Sequence, residues 1–310
     1  ELKTEPEATV RRFMNHPATA GYFLRDEPSA DDFAELGAWA ARIRATDDAH
    51  YCYLNLFPNY APGETLKTDS YREYVNRFDR EVPLQLLSFD HYPVVGDTCR
   101  PEWYENLEIF SDEARKAGKP FWAFALATAH EPYPIPDLAQ LRLQVYSDLA
   151  YGAQGIQYFT YWTPEKNPTW DFHHAPVERS SGRRTDVYDK IKQMNAEIQA
   201  LSGVFLGCEV VSVRHTGESI PRGTVRLTEL PAGVKKLETT GAGAVVSELR
   251  NGDNRFVVIV NRDFKNPMTL QIELDETASR ILKDGSVVPA SLYHETMVVE
   301  PGDAMIYMLE

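Results

Sequence analysis

The chain has 310 residues, of which 43% are hydrophobic and 25% charged, the make-up of an ordinary globular protein with room for two domains. Its net charge of −14 argues against nucleic acid or an anionic membrane as partner and suits a neutral substrate better than a polyanion. No apolar run approaches the roughly 20 residues of a membrane span, and the opening ELKTEPEATVRR is not a signal peptide.

Up to about residue 200 one unit recurs: a short apolar run, a polar loop, then an amphipathic helical pattern. The runs are GYFLRDEP (21–28), YCYLNLFPN (51–59), LQLLSFDHYP (84–93), PFWAFALATAH (120–130) and GIQYFTYW (155–162). Helical patterns fill the gaps. The first is opened by Ser29 with Asp31 and Asp32 in its first turn, and the one before Gly118 closes on Lys116 and that glycine. Continuous apolar strands alternating with helices predict parallel strands buried on both faces. Polar and aromatic residues gather at the carboxyl end of each run, where a (β/α)8 TIM barrel builds its site. A doubly wound sheet would show a glycine-rich phosphate turn after its first strand, and none is present. About five β/α units are visible, whereas closure takes eight. The remaining three are therefore expected from an absent N-terminal segment or from another chain.

Past residue 203 the texture changes to short alternating runs with turn signals at Asn251-Gly252 and Asp284-Gly285. The expected division is a barrel portion over 1–202 and an all-β sandwich domain over 203–310. Cys52, Cys99 and Cys208 are widely spaced with no CxxC pair, so neither a zinc site nor a disulfide framework is expected, and compartment stays open.

Chemistry centres on Asp26-Glu27 at the end of the first run. They are either solvated residues leading into a helix or reactive groups at a barrel mouth. In a regular strand the two carboxyls point to opposite faces, so an inward Glu27 would share its side with Arg25 and Phe23. A carboxyl against apolar walls has its pKa raised, which suits a general acid protonating a leaving oxygen. Glycoside hydrolysis needs a second carboxylate, and Asp26, Asp90 and Glu131 are the candidates. Arg25, Asn55, His91, Tyr92, His130, Tyr161 and Trp162 are the candidate sugar-binding residues, the aromatics through their flat faces. No metal site is expected, since no HExxH or i, i+4 histidine pair is present, and no cofactor fingerprint appears.

The segment LRLQVYSDLAYGAQGIQYFTYW (141–162) resembles the last units of clan A glycoside hydrolases, especially the family 42 β-galactosidase-like group. That resemblance implies a carbohydrate substrate, makes GYFLRDEP the fourth barrel strand and gives Glu27 the role of acid/base. Two departures stand out. Asp26 occupies the place of the clan's asparagine, and PFWAFALATAH has alanine and threonine where the nucleophile glutamate belongs, with Glu131 beyond. An adjacent Asp-Glu pair is similar instead to family 20 and family 123 hexosaminidases, where the aspartate orients a substrate acetamido group that attacks in place of an enzyme nucleophile. A catalytically inactive carbohydrate-binding protein on the same scaffold is the alternative to a hydrolase. By analogy with polysaccharide-degrading enzymes, a secreted or periplasmic location is favoured.

Overall fold

A computed structural model describes residues 2–275, 277–290 and 295–309. Their contacts divide into two compact units, Glu1–His91 with Asn106–Ala123, and Tyr92–Glu105 with Phe124–Glu310.

In the first unit, helix α1 (Pro6–Phe13) precedes strand β1 (Gly21–Asp26), helix α2 (Phe33–Thr46) and strand β2 (Tyr51–Asn55). The short α3 (Gly63–Leu66), then α4 (Tyr71–Glu81), lead to β3 (Leu87–Asp90). β1 and β2 pair in parallel, and Leu56 bridges in parallel to Phe89, as buried apolar runs between helices demand. The Ser70 hydroxyl caps α4 by accepting from Glu73 N–H at 3.1 Å. Gly37 lets α2 approach the end of α4, because a Cβ there would collide with the Glu81 carbonyl. One strand face is sealed by helices: Tyr22, Leu24, Cys52, Leu54 and Phe89 are all buried, and Phe89 packs on Phe110 with ring centroids 4.5 Å apart. The other face carries Phe23, Tyr51, Tyr53 and Trp122, of which Phe23 is 53% and Tyr51 47% exposed. Their rings form a row, Phe23 to Tyr53 at 5.6 Å, Tyr53 to Trp122 at 6.0 Å and Trp122 to Tyr51 at 5.9 Å.

The second unit takes the two-residue strands β4 (Val94–Val95) and β5 (Thr98–Cys99), which pair antiparallel. Helix α5 (Trp103–Ala117) and strand β6 (Phe121–Leu126) each begin in one unit and end in the other. Capped by Asp137 and Gln140, α6 (Leu138–Ala150) runs into β7 (Gly155–Phe159), and α7 (Asp186–Ala200) and α8 (Ser202–Phe205) follow. Glu197 of α7 is held by Arg142 at 2.5 Å and the Tyr146 hydroxyl at 2.6 Å, tying α6 to α7.

From residue 209 the described chain is antiparallel sheet. The strands are β8 (Glu209–His215), β9 (Val234–Thr239), β10 (Ala244–Asn251), β11 (Asn254–Asn261), β12 (Met268–Leu274), β13 (Ser279–Ile281), β14 (Val287–Pro289), β15 (Glu295–Val299) and β16 (Ala304–Leu309). One sheet runs β14-β13-β16-β11-β10-β8 and another β15-β12-β9. A single buried cluster draws Val246, Ile259 and Tyr307 from the first sheet and Leu237, Leu270 and Val299 from the second. Both expected hairpin turns occur: Gly252 takes φ +60° between β10 and β11, and Gly285 takes φ +80° between β13 and β14. Among the described residues no helix is long and apolar enough to cross a membrane.

Candidate active site

The carboxyl end of β1 departs from regular strand geometry. Phe23 pairs with Tyr53 and Asp26 with Asn55, so three steps along β1 match two along β2 and one residue is surplus. Sequence parity is broken at that point. Asp26 lands opposite Asn55, on the face of Phe23 and Tyr53. Glu27 follows with φ +43°, in the left-handed region that a glutamate adopts only at a cost of about 1–2 kcal/mol. Its own N–H donates to the Asn55 carbonyl at 2.8 Å. The bulge and the turn together let two adjacent carboxyls converge, which regular alternation forbids.

Both reach one hydrogen-bonded cluster at the ends of β1, β2 and β3. The Asn55 side chain, 4% exposed, donates to Asp90 Oδ1 at 2.7 Å and is also hydrogen-bonded to Asp26. Ser88 Oγ donates to Asn55 Oδ1 at 2.9 Å, and the Tyr53 hydroxyl lies 3.3 Å from Ser88 Oγ. The carboxyls of Glu27 and Asp90 share a hydrogen bond. Burial first, then the negative charges of Asp90 and Asp26, push Glu27 from the ordinary 4.5 up to about 8. Asp26 is also raised, by partial desolvation that the Asn55 hydrogen bond opposes. At neutral pH Glu27 therefore holds a proton at the mouth formed by three strand ends. Such a group can donate that proton to a bound oxygen.

The structure ties Arg25 elsewhere. Its guanidinium pairs with Asp32 at 2.9 Å, so the expectation that Arg25 shares the side of Glu27 is corrected by the surplus residue between Phe23 and Asp26. His91 is fully buried and lies edge-on to Tyr60, with centroids 4.9 Å apart. Sequence reasoning missed Ser88 and Tyr53. The signal was there, because hydroxyls two residues before Asp90 and Asn55 share their strand faces.

The other candidates belong to the second unit. Tyr92 packs edge-on against Tyr133 at 5.9 Å. His130 donates its ring N–H to the Thr128 carbonyl at 3.1 Å and sits among Tyr133, Phe159, Trp170 and Phe172, where burial lowers its pKa. Glu131 is exposed, with its backbone N–H bonded to Asp171 Oδ1 at 2.9 Å. Tyr161 and Trp162 are 56% and 48% exposed, their rings perpendicular at 5.4 Å, a surface on which a sugar ring can stack. Among the described residues no group of three or more His, Cys, Asp or Glu side chains is arranged to hold a metal ion.

Residues 53–201 match the model of glycoside hydrolase family 42, described as beta-galactosidase. The matched segment includes Asn55, Ser88, Asp90 and Glu131, while Asp26 and Glu27 precede it. Among solved structures, the beta-galactosidase of the psychrophilic Marinomonas ef1 is 14% identical over 56% of this chain and 27% of its own, with a TM-score of 0.43. The alpha-amylase of Geobacillus thermoleovorans, complexed with acarbose, is 11% identical over 100% of this chain and 64% of its own, with a TM-score of 0.53. The alpha-amylase of H. orenii is 8% identical, with the same shares and a TM-score of 0.54. The two amylases carry the fold comparison, a barrel architecture with a separate antiparallel region. This chain spans less than two thirds of the length of each of the three. No curated protein sequence matches it.

Proposed function

We propose that this chain is the acid-bearing part of a glycoside hydrolase, with Glu27 as the general acid. The observation that carries the reading is the placement of Glu27 beside Asp90 and Asp26 where three strands end, a partly buried, acid-rich setting that raises its pKa to about 8. Glu27 gives its proton to the glycosidic oxygen as the anomeric C–O bond breaks. The bonding pair leaves with that oxygen, and the ring becomes oxocarbenium-like. The deprotonated Glu27 then takes a proton back from the attacking water.

Asp90 is the partner that holds the Glu27 proton, not the second catalytic carboxylate. A hydrogen-bonded pair is closer than the about 5 Å of retaining enzymes or the about 6.5–9.5 Å of inverting ones. Asp26 is favoured for the second role, because the surplus residue in β1 turns it to the face occupied by Asn55 and leaves it exposed. A substrate carrying a 2-acetamido group, oriented by Asp26 and attacking its own anomeric carbon, fits that placement.

Residues 1–202 supply about five units of an eight-unit barrel, and the further units pack on the face lined by Phe23, Tyr51, Tyr53 and Trp122. They come from another segment of the protein or from another chain. Residues 203–310 form a sandwich, a reading supported by the buried cluster that both antiparallel sheets feed.

A panel of nitrophenyl glycosides, N-acetylhexosaminides included, tests the function. Hydrolysis that Glu27→Gln abolishes for poor leaving groups, and spares for dinitrophenyl ones that need no acid, supports it. Sugar binding without any turnover by the wild type refutes it and leaves the inactive binding protein.

A further inference from the structure

The cluster beneath Glu27 has a direction. Each serine or tyrosine hydroxyl has one proton to give, and a primary amide has an oxygen that only accepts and a nitrogen that only donates. Ser88 Oγ–H is committed to Asn55 Oδ1 at 2.9 Å, so the Tyr53 hydroxyl must be the donor in its 3.3 Å contact with Ser88. The chain of donors runs from Tyr53 through Ser88 to the amide oxygen, and leaves the amide nitrogen facing the carboxyls. One N–H goes to Asp90 Oδ1 at 2.7 Å and Asp26 takes a hydrogen bond from the same side chain.

We propose that Asn55, oriented by Ser88 and Tyr53, is a positioning residue that holds Asp90 as the carboxylate and so places the proton shared by Asp90 and Glu27 on Glu27. Turning the amide over would set its oxygen against Asp90, a contact that needs a proton on Asp90. Amide orientation and proton location are therefore one two-state choice, and Ser88 biases it. Asn55 is buried and Ser88 is 1% exposed, so water cannot substitute for either partner at low cost. The ionisable groups that face Glu27 are Asp90 from β3, Asp26 from β1 and the Tyr74 hydroxyl from α4, which donates to the Pro28 carbonyl at 2.6 Å. Tyr71 and Tyr74 stand near Asp90. The groups that act on Glu27 are acids, and the direction of the Asn55 hydrogen bond supplies the bias.

The inference rests on the reading of Glu27 as acid, but its test does not require turnover. In the whole chain labelled with carboxyl carbon-13 at Asp and Glu, NMR titration of the wild type should show Glu27 losing its proton near pH 8 and Asp90 at clearly lower pH. Ser88→Ala and Asn55→Leu should raise the Asp90 titration by about one pH unit, while Ser88→Thr, which keeps the hydroxyl, should not. The proposal is overturned if Asp90 is the later of the two to titrate in the wild type, or if neither Ser88→Ala nor Asn55→Leu moves Asp90. Should the titrations behave as expected while the glycoside panel gives no turnover, the hydrolase reading fails and the proton assignment stands.

Discussion

Replacing Glu27 by glutamine isolates the cost of keeping that carboxyl in its place. Glutamine is nearly isosteric and cannot ionise, so it removes titration at this position while keeping a donor towards Asp90. In the folded protein Glu27 is raised from the ordinary 4.5 to about 8, so between those values the folded state holds a proton that the unfolded state has lost. The stability linked to that proton is fully present below about pH 4.5 and is lost as pH rises through about 8. Taken whole, the shift corresponds to roughly 5 kcal/mol. Glu27 is only partly buried, and solvent screening brings the working figure to about 2 kcal/mol. Urea unfolding at several pH values between 5 and 9.5 should therefore give similar stabilities for wild type and Glu27→Gln at pH 5. At pH 9 the variant should be about 2 kcal/mol more stable. Groups that do not interact with Glu27 cancel in the difference, which leaves Glu27 and the two acids that act on it, Asp90 and Asp26. Parallel stability curves across that range would refute the placement of Glu27 in a desolvated, acid-rich site.

Three further outcomes are expected. Asp90→Asn removes the charge that helps to hold the proton on Glu27, so the high-pH limit of kcat/KM should fall by about one pH unit, read from a pH–rate profile. Glu131→Gln should change kcat on a nitrophenyl substrate by less than about tenfold, against a loss of about a hundredfold or more for Glu27→Gln on a poor leaving group. Gly37→Ala drives a methyl group into the Glu81 carbonyl and should cost about 1–3 kcal/mol in urea unfolding, with no change in the pH–rate profile.

The strand positions of the β/α part were legible because buried parallel strands read as continuous apolar runs, and GYFLRD, YCYLN and LSFD are strands as expected. Glu27 was legible as the residue at a strand end, and so was the presence of Asn55 and Asp90 at the neighbouring ends. The convergence of Asp26 and Glu27 was not. It depends on a surplus residue and a left-handed glutamate, and neither leaves a glycine or asparagine in the sequence to announce it. Arg25 was misplaced for the same reason, since parity counting assumes an unbroken ladder. Ser88 escaped notice because a serine inside an apolar run reads as filler until its partner across the sheet is known. In the antiparallel part, β9 is hard to read from sequence: VKKLET carries too few apolar residues for its alternation to stand out, yet Val234 and Leu237 are buried.

The surplus residue in β1 also bears on how such chains should be compared. Strands are ordinarily where an alignment forbids gaps, because a slip of one position turns every side chain over. Here Phe23 and Asp26 both keep their partners across the ladder, so a related chain could lack one of the two intervening residues and still present its acids in the same place. Alignments forced to run ungapped through this strand would then match the acid of one protein to its neighbour in another, and a conserved proton donor would look like a substituted one.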